Sequence, residues 1–392
     1  MKQKCILMRL AAILLFFGLT LSGCTDEEYK EGIVEKTLFM YFPWSGNANP
    51  LTDAFYKNVA DMEKAIMEDG LDSKRVIVFF ATSSSEAEMY EIVYKNGKCA
   101  HEILKEYTDH PYTTASGLTS ILKDVKDFAP AYNYAMTIGC HGMGWIQAEQ
   151  TRMYKSSDFK YHWEYEGALT RWFGGSFYQT NITTLAEAIM NADVHMQFIL
   201  FDDCYMANVE VAYDLRNVAN YLIASICEVM SAGMPYAMIG GDLLDREPDY
   251  QAICDDFYAF YSNYGNYSYG TLSVIDCSQM DMMAEIMNTI NINYTLDPRL
   301  LGHIQKLDGY NPVIFYDFGD YVEKLGIDEN LHYDFEQQLK RTVVYSVHTE
   351  QYYAYGAGAF DINSYSGLTI SDPSISSIAA EKENTAWYQA TH

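Results

Sequence analysis

The sequence predicts an α/β fold, with a mostly parallel central sheet flanked by helices and an α/β extension at the C-terminal end packed on it. Three observations carry that reading. Short runs that are apolar throughout, as strands covered on both faces are, recur at Thr37 to Phe42, Arg75 to Ala81, Ala135 to Cys140, Met196 to Phe201 and Tyr221 to Ile226. Segments of helical periodicity fill the gaps between them. The alternation of the two is the pattern of parallel strands joined by right-handed crossovers.

The chain opens on a segment to be set aside from the fold. Lys2, Lys4 and Arg9 form a basic start, and Leu10 to Leu21 a short apolar stretch, too short to span a bilayer comfortably. It ends in Leu21-Ser22-Gly23-Cys24, which resembles the lipobox of bacterial lipoproteins. That resemblance implies cleavage after residue 23, lipidation of Cys24 and anchoring in the cell envelope, at the outer membrane and on either face. An ordinary secretory signal with a chance cysteine is the competing reading. Residues 24–36 then read as a tether, and its acidic Asp26-Glu27-Glu28 is either an export signal or a solvated spacer.

Residues 37–241 form the expected core. After the first strand, Leu51 to Glu68 places Leu51, Phe55, Val59, Met62 and Ile66 on one face of a helix. The second strand leads to a hairpin around Tyr90 to Cys99, turned by Asn96-Gly97. Residues 116–128, opened by Ser116, form the next helix, and Ala135 to Cys140 the third strand. Residues 146–181 are polar, aromatic and glycine-containing, and read as a long loop. A helix from Thr183, its capping residue, to Asn191 precedes the strand Met196 to Phe201. After Cys204 a helix is expected from about Tyr205 to Val218, followed by the fifth strand. From residue 242 to 392 tyrosine-rich helical stretches at Tyr250 to Tyr264, Met280 to Ile290 and Tyr321 to Leu339 alternate with strands at Leu272 to Ile275 and Thr342 to Val347.

Composition bounds the function. Of 392 residues, 49% are apolar and 20% charged, which excludes a disordered chain. Removing residues 1–23, with three basic residues and no acidic one, takes the formal charge from −27 to −30. So acidic a surface disfavours nucleic acid and anionic lipid and tolerates cationic ligands. Six cysteines remain beyond Cys24, at 99, 140, 204, 227, 254 and 277, with no CxxC and no zinc spacing. An exported chain permits disulfides among them, but nothing in the sequence requires any.

The chemistry converges on Met196 to Glu210. An apolar strand that ends in Asp202-Asp203-Cys204 makes a poor core and a good rim for a nucleophile, since open α/β sheets place their sites at the carboxyl ends of strands. A cysteine attacks as a thiolate and needs a base or a positive field. A helix starting just after Cys204 would supply part of that field, while Asp202 and Asp203 oppose it. His141 is the candidate base, because it too ends a buried strand and is followed by Gly142 and Gly144. The N–H groups of Gly142 and Cys204 could form an oxyanion hole. Cys140 is the rival nucleophile, placed at the end of an apolar strand where a thiol is buried and inert. There is no HExxH, GxSxG, Walker or GxGxxG motif, and Gly174-Gly175-Ser176 lacks the setting of a nucleophilic serine.

HGMGW at 141–145, FDDCYMANVEVAYDL at 201–215 and YLIASICEVMSAGMPY at 221–236 resemble the clostripain family of cysteine peptidases, with SVIDCSQM at 273–280, VIFYDFGDYV at 313–322 and the closing WYQATH as fainter support. The resemblance implies a caspase-like fold and an endopeptidase, with a Cys204–His141 dyad and Asp202 lining the pocket for a basic P1 residue. It implies protein or peptide substrates cleaved after Arg or Lys, by an enzyme expected to be a monomer. It also implies maturation in the loop between histidine and cysteine, with Lys155, Arg152 and Lys160 as candidate cleavage points. No cofactor is required, but relatives are often calcium-dependent, and calcium is compatible with so acidic a chain although no EF-hand loop occurs. Asp203 has no role assigned by the resemblance. A non-catalytic surface lipoprotein that binds glycan or peptide on its aromatic residues, or a degenerate peptidase, is the competing reading.

Overall fold

The computed structural model describes residues 32–44, 51–148 and 180–392. Among these, a nine-stranded sheet is built from β1 (Val34–Phe42), β2 (Lys74–Ala81), β3 (Glu86–Lys95), β4 (Lys98–Thr108), β5 (Ala131–Ile138), β6 (Met196–Phe201), β7 (Ala219–Ala224), β8 (Thr271–Asp276) and β10 (Val343–His348). Their spatial order is β10-β8-β7-β6-β5-β1-β2-β3-β4. The five central strands, β7 to β2 in that order, are parallel, and β3 and β8 run against all the others. The β3–β4 hairpin turns at Asn96-Gly97 as the sequence predicts, with both residues at positive φ.

Alternate side chains of the strands feed two separate cores. On one face Phe39, Tyr41, Ile77, Phe79, Met136, Ile138, Ile199 and Phe201 pack under α2 (Ala115–Phe128), α3 (Ile182–Asn191), α4 (Val209–Leu215) and α7 (Met280–Asn293). On the other Leu38, Met40, Phe42, Val76, Val78, Phe80, Phe198 and Leu200 meet α1 (Thr52–Asp69), α5 (Tyr236–Leu244) and α6 (Tyr250–Ser262). Two covered faces explain why these strands are apolar at every position. Residues 242–392 contribute two strands to this sheet, β8 and β10, together with β9 (Tyr316–Asp317), α8 (Phe318–Lys324), α9 (Glu329–Thr342), the hairpin β11 (Gln351–Ala354) and β12 (Gly358–Asp361), β13 (Thr369–Ile370) and α10 (Ala386–Thr391).

Several elements differ from expectation. The helix expected over Tyr205 to Val218 is only Val209–Leu215. The N–H groups of Tyr205 and Ala207 are spent on Cys227 O and Ser225 O, at 3.0 and 2.9 Å, and no helix can start until the Asn208 side chain caps Val211 N–H. The stretch Tyr321 to Leu339 is two helices. Gly326, at φ 67°, ends α8, and Asp328 caps α9 by accepting from Asn330 and Leu331 N–H. Thr114 rather than Ser116 caps α2. Helix α3 begins one residue before Thr183, and the Asn181 side chain at its start accepts from Ala148 N–H at 2.8 Å. The third strand stops at Ile138 and leaves Cys140 beyond the sheet, and the fifth stops at Ala224.

Candidate active site

Register brings the two candidate catalytic residues to one edge of the sheet. Strands β5 and β6 are parallel neighbours with Ile138 opposite Phe201, so His141 and Cys204 each stand three residues beyond a matched pair. The ladder continues for one step, Asp202 N–H donating to Ile138 O at 2.8 Å, before the two chains turn. His141, Asp202 and Asp203 are fully buried, and Cys204 is 2% exposed.

The His141–Gly142 turn lies directly on the nucleophile segment. A Cβ on Gly142 would fall 2.3 Å from Cys204 O, 2.8 Å from Asp203 Cβ and 2.9 Å from Cys204 N. Only a residue without a side chain fits there. Gly144 is glycine for two reasons, a φ of 59° and a Cβ position 2.6 Å from Asn208 Nδ2 and 2.9 Å from Tyr205 O. The end of this turn is fastened by Trp145, whose Nε1–H donates to Ser371 Oγ at 2.9 Å, and Ser371 N–H donates to the Glu210 carboxyl at 2.9 Å.

Each acid beside the cysteine has a partner. Asp203 accepts Cys140 N–H at 2.6 Å. Asp202 accepts Met234 N–H at 2.9 Å, from the loop that leads into α5. The Cys204 sulfur receives Val229 N–H at 3.2 Å. Val229 O accepts from the same sulfur at 3.8 Å, so the Val229 peptide holds Cys204 in place, and the helix expected just after Cys204 starts at Val209 instead. Cys140, the rival thiol, is buried and lies 3.4 Å from Asp203 Oδ2, as a donor to a carboxylate rather than a nucleophile in the making.

Residues 205, 228, 310 and 315 also shape this region, and sequence reasoning missed them. Tyr310 OH contacts Met143 Sδ at 3.0 Å, and the Phe315 ring stacks on Tyr205 with centroids 5.1 Å apart. Both belong to a loop drawn together by Asp308, which accepts N–H groups from Tyr310, Ile314 and Phe315. Burial pushes the Asp308 carboxyl up to about 7 against the opposing pull of those bonds. Tyr205 and Glu228 lie in the stretches 201–215 and 221–236 that carry the family resemblance and Phe315 in the fainter 313–322, but the sequence assigns none of them a role. Lys155, Arg152, Lys160 and Cys24 lie outside the described residues. Among the described residues, the cysteines at 99, 140, 204, 227, 254 and 277 form no disulfide with one another.

The family model for the clostripain family matches residues 49–359, which contain the whole site. This chain belongs to the clostripain family. It is a cysteine-type peptidase with the mixed α/β architecture of that family. It is 50% identical to a secreted C11 cysteine protease from Bacteroides thetaiotaomicron, "iotapain", whose structure matches 92% of this chain and 100% of its own with a TM-score of 0.85. A clostripain structure from the same species, in complex with the peptide inhibitor BTN-VLTK-AOMK, is 54% identical and covers 58% of this chain and 99% of its own, at a TM-score of 0.55. An inactive zymogen C11 protease from Parabacteroides distasonis shares the fold at 24% identity and a TM-score of 0.75, over 92% of this chain and 99% of its own. No curated protein matches the chain.

Among the described residues, no group of three or more His, Cys, Asp or Glu side chains is arranged to hold a metal ion. Nor is any described helix long and apolar enough to cross a membrane.

Proposed function

We propose that this clostripain-family chain is an exported endopeptidase that hydrolyses peptide bonds after Arg or Lys with a Cys204–His141 dyad. The observation that carries this reading is the seating of the His141–Gly142 turn on the backbone of Asp203 and Cys204, too close for any Cβ. Cys204 Sγ, its proton passed to His141, attacks the scissile carbonyl carbon. The carbonyl oxygen takes the negative charge between the amides of Gly142 and Cys204, each donor being worth about 3 kcal/mol in comparable enzymes. His141 delivers a proton to the departing amine as the C–N bond breaks. It then takes one from the water that releases the thioester.

Asp202 supplies the specificity. Asp202 lies beside the nucleophile and accepts Met234 N–H, and a carboxylate pairs well with the ammonium or guanidinium group of a basic side chain. The inhibitor BTN-VLTK-AOMK bound to the 54% identical clostripain carries lysine as the last residue of its peptide, which supports a basic P1 residue here. The 50% identical protease is described as secreted, which supports export. Attachment through a lipid on Cys24, action as a monomer, and self-processing at Lys155, Arg152 or Lys160 extend the same reading.

Fluorogenic peptides with Arg, Lys or Asp at P1, assayed on wild type and Cys204→Ala under reducing conditions with and without calcium, test it. Turnover after Arg or Lys that vanishes in Cys204→Ala is expected. No turnover overturns the catalytic reading, and cleavage after Asp overturns the role of Asp202. Mass spectrometry of both proteins tests processing, which requires nicking in wild type alone.

A further inference from the structure

Tyr205, the residue after the nucleophile, has φ of 60°, one of five non-glycine residues at positive φ among those described. The left-handed region costs a bulky L-residue about 1–3 kcal/mol, and such a conformation persists only where its surroundings over-determine it. Glycine would adopt it freely, so a tyrosine here needs a reason in its side chain. The surroundings supply one. Its hydroxyl donates to Glu228 Oε1 at 2.7 Å, its ring stacks on Phe315, its N–H donates to Cys227 O at 3.0 Å, and its carbonyl accepts Asn208 Nδ2–H at 2.6 Å.

The partner segment is equally constrained. Cys227, Glu228 and Val229 are consecutive, and each touches the nucleophile segment. Cys227 takes the Tyr205 N–H, Glu228 takes the Tyr205 hydroxyl, and Val229 gives its N–H to the Cys204 sulfur. The second oxygen of Glu228 accepts Tyr355 N–H at 3.1 Å, from the turn between β11 and β12. Tyr205 and Glu228 are 2% and 3% exposed. A buried carboxylate with a hydroxyl on one oxygen and a backbone amide on the other cannot shift without breaking both bonds.

We infer that Tyr205 and Glu228 form a positioning pair for Cys204, and this rests on Cys204 being the nucleophile. The pair holds the left-handed bend that keeps the sulfur on the Val229 N–H and the Cys204 amide beside Gly142. Both act through the backbone they hold.

The test uses Tyr205→Phe, Glu228→Gln, Glu228→Ala and Cys204→Ala in the full-length enzyme. Read out are kcat, KM, melting temperature and the pH dependence of iodoacetamide alkylation of Cys204. In Tyr205→Phe, kcat is expected to fall about 10- to 100-fold, the cost of a small misplacement of a reacting group. KM should stay within about twofold, because substrate binding is untouched. The midpoint of the alkylation curve should move up as the sulfur loses its N–H. Glu228→Gln, which can still accept the hydroxyl, should retain more activity than Glu228→Ala. The inference is overturned if Tyr205→Phe and Glu228→Ala both keep the wild-type kcat and alkylation midpoint. It is equally overturned if the loss of kcat disappears at a temperature where the variants are fully folded. Activity surviving in Cys204→Ala would instead overturn the nucleophile itself, so the two failures are distinct.

Discussion

The Asp203 carboxylate accepts the backbone N–H of Cys140 at 2.6 Å, which ties the residue before His141 to the residue before Cys204. An acid beside a cysteine nucleophile is a liability for the thiolate. Here that acid spends one oxygen on backbone and the other on the Cys140 thiol, so it works as a clamp between two strand ends. Asp203→Ala would leave a buried N–H without its acceptor, a loss of about 1–3 kcal/mol. We expect a melting temperature lower by a few degrees and a reduced kcat/KM, with Asp203→Asn, which keeps an acceptor oxygen, affected less. Calorimetry and peptide hydrolysis together check this. An Asp203→Ala enzyme that melts and turns over like wild type removes the clamp.

Gly142 is expected to tolerate no side chain. Its Cβ position lies 2.3 Å from Cys204 O, so Gly142→Ala must push the histidine turn off the nucleophile segment. A displacement of about 1 Å at a catalytic centre can cost about 100-fold in rate. The expected result is at least that loss in kcat/KM, with Gly302→Ala as a control of similar chemistry, with an ordinary φ, open space around it and no effect on rate. Equal activity of Gly142→Ala and wild type would mean that the turn does not sit on Cys204 during turnover.

The sheet was legible because burial on both faces leaves an unmistakable trace, a run of apolar residues with no alternation. The strand Met196–Phe201 matches its expected span to the residue, and β1, β2 and β8 extend theirs by only a few residues. The site was legible because His141 and Cys204 follow two such runs. Error entered where tertiary hydrogen bonds outcompete local propensity. Residues 205–207 carry helical-looking sequence, yet the N–H groups of Tyr205 and Ala207 pair with residues 227 and 225, a segment no local window includes. Asp203 could not be read for the same reason, since its partner lies 63 positions away. Tyr205 and Glu228 lie in stretches that carry the family resemblance, but their pairing was illegible, because a left-handed φ in a tyrosine and a buried carboxylate follow from packing rather than from pattern.

Asp202 carries a prediction about selectivity. Asp202→Asn keeps an oxygen for Met234 N–H while removing the charge offered to the substrate. Truncating one side of a buried charge pair costs about 2–5 kcal/mol, so kcat/KM for Arg or Lys substrates should fall by about 30-fold or more. The same variant should lose nothing on a substrate with a neutral P1 residue of similar length. Equal losses on both substrates would assign Asp202 to holding the Met234 loop and not to reading the side chain.

The last prediction concerns stability and pH. Glu210, on the helix that follows the nucleophile, is buried, and burial pushes its carboxyl up to about 8, with Asp372 adding to the rise. Burial likewise pushes Asp372 up to about 7, with Lys382 pulling the other way, and Asp214 up to about 6, opposed by Arg216. A carboxyl raised in the folded chain binds more protons there than in the unfolded chain, so its contribution to stability is whole below the unfolded value. It is lost progressively as pH rises through the folded one. For Glu210 that window runs from 4.5 to about 8. Glu210→Gln removes the titration and keeps an oxygen to accept Ser371 N–H, which anchors Trp145 of the histidine turn. Its melting temperature should equal that of wild type at the acid end of the window and exceed it by a few degrees at the alkaline end. Melting curves of both proteins across that range check this, and parallel pH profiles would show that Glu210 does not titrate as its burial requires.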